Sequence, residues 1–223
     1  MIAACLAGLI AGGLHVFAGP DHLAVLAPLA LRARRRGWAV GLRWGLGHSA
    51  GVLAVAVLAF GLRQAALLDG LGGWGERLVG ASLIVLGLWG LRGLFRRRLH
   101  AHVHEHGGEA HVHVHVHAPG EDHHVHGHAA FWMGTLHGLA GTAHLVGILP
   151  SLALPDGRQT VGYLGAFATG TVVAMVLFAG SVGFLAPERG LRLYRWSLAG
   201  ASALCVGVGV AWILLPLLGV DLP

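Results

Sequence analysis

The chain has few charged residues and few of the residues that stabilise small secreted domains. Only 11% of its 223 residues are charged, all fifteen basic residues are arginine, and there are two cysteines. Cys5 and Cys205 both lie in apolar stretches, which excludes a disulfide framework as the basis of the fold. Aromatic residues are not interleaved with a basic stripe, so we expect no nucleic-acid partner.

Apolar residues and glycine are abundant instead. Hydrophobic residues make up 55% of the chain, which contains 37 glycines, and the mean hydropathy is +0.69. These values are typical of a polytopic membrane protein, in which glycine lets neighbouring helices approach closely. The expected surroundings are therefore a lipid bilayer. Because the N-terminus lacks a positively charged segment before its first apolar stretch, we expect no cleaved signal peptide.

Six apolar stretches are long enough to cross a bilayer. They cover approximately residues 2–31, 38–61, 77–95, 130–153, 160–185 and 194–218. Arginine runs or turn-forming segments separate them, and the turn-forming segments are Leu68–Gly73 after the second stretch, Pro155–Gly157 after the fourth and Pro187–Gly190 after the fifth. The sequence therefore predicts an all-α membrane protein with six transmembrane helices.

The two halves of the chain resemble each other. Leu14-His-x-x-Ala-Gly-x-x-His-Leu23 matches Leu136-His-x-x-Ala-Gly-x-x-His-Leu145, and further along Trp44 matches Tyr163. Each half has three predicted spans, so the second half enters the membrane from the opposite side, as in the inverted repeats of many transporters. We therefore expect a first three-helix repeat at 1–99, a His-rich cytoplasmic loop at 100–129 and a second three-helix repeat at 130–223.

The arginines predict the orientation. Twelve of them flank the first, third and fifth loops, and three flank the second and fourth. Because arginine accumulates on the cytoplasmic side, loops 1, 3 and 5 should be cytoplasmic and both termini outside. The predicted location is the inner (cytoplasmic) membrane of the cell.

The first span contains three ionisable residues, His15, Asp21 and His22, around Gly19-Pro20. Ionisable groups at this depth are costly and usually functional. The two histidines would be about 10 Å apart along an unbroken helix, but a break at Gly19-Pro20 could bring them together with Asp21. Imidazole and carboxylate together suit nickel, cobalt, zinc or manganese. The alternative is a packing role for hydrogen-bonded core side chains.

Three further histidines are candidate metal ligands. His48 lies in the second span, while His137 and His144 repeat the spacing of the first site with Ala143 in place of the aspartate. Either both halves contribute to one site near the midplane, or the second pair forms a weaker relay station. A packing role is again the alternative for each of them.

The segment between the repeats is rich in histidine. Its twelve histidines are His100, His102, His104, His106, His111, His113, His115, His117, His123, His124, His126 and His128. Such tracts bind transition metals, and we expect this one to be disordered until something binds it. The alternative interpretation is a solubilising linker.

Signatures of catalysis are weak. Gly47-His-Ser-Ala-Gly51 matches the G-x-S-x-G pattern of hydrolases, but that pattern requires a turn between a strand and a helix. The sequence contains no H-E-x-x-H and no Walker A motif. We therefore predict that the chain is not an enzyme, carries no prosthetic group and does not itself couple ATP hydrolysis.

The first span resembles the H-x4-D-H signature of the nickel–cobalt transporter superfamily (the NiCoT and NicO families). The chain has His15-x5-Asp21-His22, one residue longer, and Leu46-Gly-His-Ser49 resembles the second motif of the superfamily. The segment at 134–143 is glycine-rich as in NiCoT members but lacks their acidic residues. The six-span plan with a His-rich loop is similar to NicO proteins. The residue sequence of Ala18–Pro28 is more similar to that of the UreH-like or "high-affinity nickel transport" branch.

These features predict a transporter for a divalent transition metal, with nickel or cobalt implied by the resemblance. His15, Asp21, His22 and His48 would bind the ion, and His137 and His144 would complete or relay the site while one repeat rocks against the other. The His-rich loop would exchange metal on the cytoplasmic side, with a metallochaperone or metal acceptor as a candidate partner. The alternatives are a membrane-embedded accessory protein that binds metal without moving it, and an intramembrane hydrolase using Ser49.

Overall fold

The computed structural model describes residues 1–62, 65–96, 100–106, 109–115, 125–140, 143–186 and 191–218. Eight α-helices lie in these ranges: α1 (Ile2–Ala18), α2 (Pro20–Ala33), α3 (Gly37–Leu62), α4 (Ala65–Arg96), α5 (Val125–Ala140), α6 (Ala143–Leu152), α7 (Gly157–Phe184) and α8 (Leu191–Leu217). A 3-10 turn at Arg34–Arg36 joins α2 to α3, and two short strands precede α5. The prediction of a predominantly helical protein is confirmed.

Apolar helices of membrane-spanning length account for much of the chain. Among the described residues, four helical stretches are long and apolar enough to cross a bilayer: Pro20–Leu58, Arg77–Leu94, Gly157–Phe184 and Arg192–Leu217. Ile2–Ala18 is a shorter apolar helix. These stretches identify a membrane protein, although length and composition alone yield fewer spans than the six predicted.

The first predicted span is two helices rather than one. Gly19 has an extended backbone (φ −86°, ψ 102°), and its N–H donates to the His15 carbonyl at 3.1 Å, which ends α1. Pro20 begins α2 at the first helical position, where its missing N–H leaves no intrahelical bond unmade. The predicted interruption at Gly19-Pro20 is confirmed. The corresponding stretch of the second half is also divided, since α5 ends at Ala140 and α6 begins at Ala143.

One of the three predictions about the turns between helices is corrected. The turn expected at 68–73 is wrong, because these residues continue α4. A helix satisfies the hydrogen bonds of its own backbone. In apolar surroundings this stabilisation exceeds the modest cost of placing glycine in a helix. The turn expected at 155–157 does separate two helices, and there the Asp156 carboxylate accepts a hydrogen bond from the Arg158 N–H at 3.0 Å. The turn expected at 187–190 lies outside the described residues.

The His-rich segment contains a two-stranded antiparallel hairpin. Strand β1 (His100–His106) pairs with β2 (Glu109–His115), so that His100 lies opposite His115 and His106 opposite Glu109. The prediction of disorder is therefore wrong for these two strands, whose alternation of histidine with other residues has the period of a strand. His126 lies in the first turn of α5 and His128 shortly after it, and His117, His123 and His124 lie outside the described residues.

Glycines bring four helices into backbone contact. A Cβ atom added at any of these glycines would collide with a main-chain carbonyl of the facing helix. The contacts are Gly8 and Gly12 of α1 with Tyr163 and Phe167 of α7, Gly37 and Gly41 of α3 with Ala179 and Met175 of α7, and Gly134 and Gly138 of α5 with Trp44 and His48 of α3. Helices α1, α3, α5 and α7 therefore form a closely packed frame.

The second half-helix of the first span, α2, lies in the interior. Its Val25 and Leu26 are fully buried in a cluster with Trp44 of α3, Leu83 of α4 and Met175 of α7. Helices α4 and α8 pack together beside it, with Gly80 of α4 against Gly209 of α8. Because α2 contacts both the frame and the α4–α8 pair, its first turn lies deep in the protein.

The frame can be tested at one glycine. In Gly12→Ala the new Cβ would meet the Phe167 carbonyl, and overpacking of this kind costs about 1–3 kcal/mol. Gly13→Ala is the matched control, because a Cβ there has no atom within 4 Å. We expect the free energy of unfolding in detergent to fall for Gly12→Ala only. Equal stability of the two variants would contradict the close contact of α1 with α7.

Candidate metal centre

The break in the first span brings its three ionisable residues together. His15 lies in the last turn of α1, while Asp21 and His22 lie in the first turn of α2. The ring centroids of His15 and His22 are 4.7 Å apart, compared with a spacing of about 10 Å for residues seven apart on a continuous helix. The interruption therefore creates a cluster that a regular helix could not hold.

Two further helices of the frame complete this cluster. The ring of His48, from α3, lies 4.9 Å from that of His22 and 5.7 Å from that of His15. The ring of His137, from α5, lies 5.0 Å from that of His22. We call His15, Asp21, His22, His48 and His137 the histidine cluster. Both halves of the chain contribute to it, because His137 belongs to the second half.

Asp21 bridges two of the histidines. Its Oδ1 lies 3.0 Å from Nδ1 of His22, and its Oδ2 lies 2.8 Å from Nε2 of His137. An ionised carboxylate only accepts hydrogen bonds, so both imidazoles donate. The aspartate thereby links α2, in the first half of the chain, to α5 in the second.

The cluster is almost entirely excluded from solvent. Asp21 is 7% exposed, and His22, His48 and His137 are 0–2% exposed, while His15 is partly buried. A buried carboxylate is costly unless charge and hydrogen bonds compensate it. Here two imidazole N–H groups do so, together with the positive end of α2, since Asp21 lies in its first turn.

The donor atoms are close enough for metal ligation. Two sets of three lie with their candidate ligand atoms within 4.8 Å of one another: His15, His22 and His48, and Asp21, His22 and His137. Bonds of about 2 Å to a tetrahedral ion bring ligands to roughly 3.4 Å apart. Small movements of the rings toward a common centre would therefore suffice. Both sets contain His22.

The structure leaves two groups of predicted ligands outside this cluster. His144 lies in α6, but its side chain is outside the described part of the chain, as are the side chains of the histidines at 100–126. His128 is exposed in α5. Five of the six residues predicted for the membrane site thus come together.

Two aromatic residues border the cluster and were not predicted as part of it. The ring of Phe167 lies 5.6 Å from that of His15, and the ring of Trp44 lies 6.0 Å from that of His137. The internal repeat could have indicated both residues. Trp44 matches Tyr163, and four residues further along each helix the same alignment matches His48 with Phe167.

Ser49 does not have the environment of a nucleophile elbow. It lies within α3, and its hydroxyl donates to the Ala168 carbonyl of α7 at 3.3 Å. Neither the strand nor the sharp turn that the G-x-S-x-G pattern requires is present at this position. Ser49 therefore joins two helices of the frame.

The fold and the cluster define a class: a helical membrane protein with a buried histidine–aspartate centre at a break between two apolar helices. Two curated proteins of Arabidopsis thaliana are similar to the chain over 219 residues, or 96% of its length. They are Chloroplast protein FOR GROWTH AND FERTILITY 2, at 34% identity and 57% coverage of that protein, and Chloroplast protein FOR GROWTH AND FERTILITY 1, at 32% identity and 60% coverage. The chain therefore spans less than two thirds of either relative. No family model and no solved structure matches it.

Gly19 provides a test of the cluster geometry. Its backbone angles suit any residue, but a Cβ there would collide with Nδ1 of His22 and lie 2.7 Å from Oδ1 of Asp21. With Ni²⁺ as the probe ion, we expect Gly19→Ala to have about 10–100-fold lower affinity than the parent, which is the usual effect of displacing the hydrogen-bond partner of an imidazole that binds metal. Isothermal titration of the purified protein measures this. Gly13→Ala, with open space around its Cβ, should bind like the parent. Unchanged affinity in Gly19→Ala would show that the ion does not use this pair.

Proposed function

We propose that the protein transports a divalent transition-metal ion, nickel or cobalt, across a membrane through the histidine cluster. The observation that carries the proposal is the position of this cluster. Four imidazoles and one carboxylate from four helices meet at a break between apolar helices, where ionisable groups are expensive to retain. Broken helices of this kind surround the ion sites of many secondary transporters.

The chemistry of the donors narrows the substrate. Imidazole is the ligand of nickel, copper, zinc and iron, whereas magnesium and calcium take sites built of oxygen ligands. One carboxylate among four imidazoles therefore favours a transition metal. The choice of nickel or cobalt rests on the resemblance of the first span to the nickel–cobalt transporter superfamily.

The packing of the helices supports six spans in two inverted repeats. Helices α1 and α2 together, and α5 and α6 together, are each long enough to form one interrupted span, and α3, α4, α7 and α8 supply the others. Under the internal repeat, α1 corresponds to α5 and α7 to α3. The contacts in the frame follow this correspondence: α1 packs on α7, and its equivalent α5 packs on α3, the equivalent of α7, each through a pair of glycines.

The contacts of these glycines bear on which part of the protein moves. They join α1 and α3 of the first half to α5 and α7 of the second, so a rocking of one half against the other would separate backbones in direct contact. We propose instead that the frame stays intact and that α4 and α8 shift relative to it. Because α2 contacts both the frame and the α4–α8 pair, this shift would open the cluster to one side of the membrane.

The arginine distribution supports loops 1, 3 and 5 on one side, with both termini on the other. On that orientation the His-rich hairpin faces the side of the arginines, where it would exchange metal with a soluble acceptor. The comparisons do not support the cytoplasmic membrane of a cell as the location, since both similar proteins are named as chloroplast proteins. The proposal therefore specifies a bilayer and not a particular membrane.

Transport can be measured in liposomes that contain the purified protein and enclose a metal-sensitive dye. We expect Asp21→Ala and His22→Ala each to reduce the initial rate of Ni²⁺ uptake at least tenfold, because each leaves a buried partner without its hydrogen bond and removes a candidate ligand. Ser202→Ala, a buried polar residue of α8 outside the cluster, is the control and should keep the parental rate.

Two results of this assay would overturn the proposal. Parental uptake by both variants would exclude the cluster as the ion pathway. Stoichiometric Ni²⁺ binding without uptake by the parent protein would instead identify a membrane-embedded accessory protein for metalloenzyme maturation.

The hairpin should act on supply rather than on the transport step. A deletion of 100–124 stops before α5 and leaves the histidine cluster intact. We expect it to raise the half-saturating Ni²⁺ concentration severalfold, because a local store of ion is lost, while the maximal uptake rate stays within twofold of the parent. A matched variant with the histidines of 100–124 replaced by glutamine separates metal binding from loop length. Complete loss of uptake in both variants would show that the hairpin is part of the pathway.

A further inference from the structure

The two oxygens of Asp21 are both occupied by imidazole N–H groups. Oδ1 accepts from Nδ1 of His22 at 3.0 Å, and Oδ2 accepts from Nε2 of His137 at 2.8 Å. These hydrogen bonds fix the tautomer of each ring, because a neutral imidazole has one protonated nitrogen and one lone pair. In His22 the lone pair is therefore on Nε2.

Nε2 of His22 is the ring atom opposite the bond to Asp21. Three imidazoles lie beside this ring: those of His15 and His48, with centroids at 4.7 and 4.9 Å, and that of His137 at 5.0 Å, which is the one bonded to Asp21. His15, His22 and His48 form one of the two sets whose candidate ligand atoms all lie within 4.8 Å of one another. Their nitrogens could converge on an ion while both hydrogen bonds of Asp21 stay in place.

The other set is less suited to an ion. An ion bound by the atoms that form the two hydrogen bonds would displace both bonds, and each ring would then have to carry its proton on the opposite nitrogen. The cost of breaking two buried charge-assisted hydrogen bonds would oppose binding there.

We propose, within the proposed transport function, that the ion is bound by His15, His22 and His48, and that Asp21 is a positioning residue rather than a ligand. Asp21 orients the His22 ring and raises the basicity of its Nε2, as carboxylates behind metal-binding histidines do. His137 holds the carboxylate from the other side. Three imidazoles leave a coordination position open for water, which suits an ion that must be released, and they discriminate against magnesium and calcium.

X-ray absorption spectroscopy of the Ni²⁺-loaded protein distinguishes the two sets, because it counts imidazole ligands. The background is the full-length chain with the twelve histidines of 100–128 replaced by glutamine, so that the signal comes from the membrane part. We expect three imidazoles in this protein, two in His15→Ala and in His48→Ala, and three in His137→Ala and Asp21→Asn. The last two should also bind Ni²⁺ about 10–100-fold more weakly.

The opposite pattern would overturn the assignment: an imidazole lost in His137→Ala, or an oxygen ligand lost in Asp21→Asn, with the full count kept in His15→Ala and His48→Ala. Where an alanine variant does not fold, His15→Gln and His48→Gln provide the same count with a side chain of closer size. An absence of Ni²⁺ binding in the background protein would reject the site altogether. Liposomes without uptake, combined with the expected ligand pattern, would reject transport and leave the assignment of roles standing.

Discussion

The buried carboxylate of Asp21 is the constraint on which the arrangement of the site depends. In an apolar interior a carboxylate must be compensated locally, and here the compensation comes from His22, His137 and the first turn of α2. The contributions of α2 and His137 each depend on the course of the backbone. The positive end of α2 exists because the helix starts again after Gly19, and His137 is within reach because α5 packs closely on α3.

The glycine contacts of the frame set the distances within the cluster. Gly134 and Gly138 lie against the carbonyls of Trp44 and His48, so α5 meets α3 at the turn that carries His48. On the other side, Gly12 lies against the carbonyl of Phe167, one turn before His15. A larger residue at these positions would push the helices apart. The distances between ring centroids in the cluster, now 4.7–5.8 Å, would then increase. Close packing is therefore a condition for the site as well as for stability.

The sequence predicted the helices, the break at Gly19-Pro20 and most of the cluster, because these follow from local features. Apolar length identifies the helices, proline after glycine interrupts one of them, and ionisable residues in apolar segments are conspicuous. The bond between Asp21 and His137 could not be predicted in this way. It joins residues 116 positions apart, and its existence depends on how α5 is placed along α3.

Two errors have a similar origin in competing preferences. The glycines at 70, 72 and 73 favour a turn locally, but the helix α4 continues through them because its backbone bonds are satisfied internally. The hairpin shows the reverse. Low hydrophobicity suggested disorder, whereas the alternation of histidine with other residues in 100–106 and 111–115 has the period of a strand.

The internal repeat explains why the cluster is single and asymmetric. The equivalents of Asp21 and His48 in the second half are Ala143 and Phe167, so a symmetry-related site would lack its carboxylate and one imidazole. His15 and His137 are another equivalent pair, and they do not form separate centres, because their rings both lie within 5.0 Å of the ring of His22. Phe167 contacts His15 much as His48 contacts His137, with centroids at 5.6 and 5.8 Å. Within the described part of the chain, the two halves therefore bring their ionisable side chains together at one centre, and its only carboxylate comes from the first half.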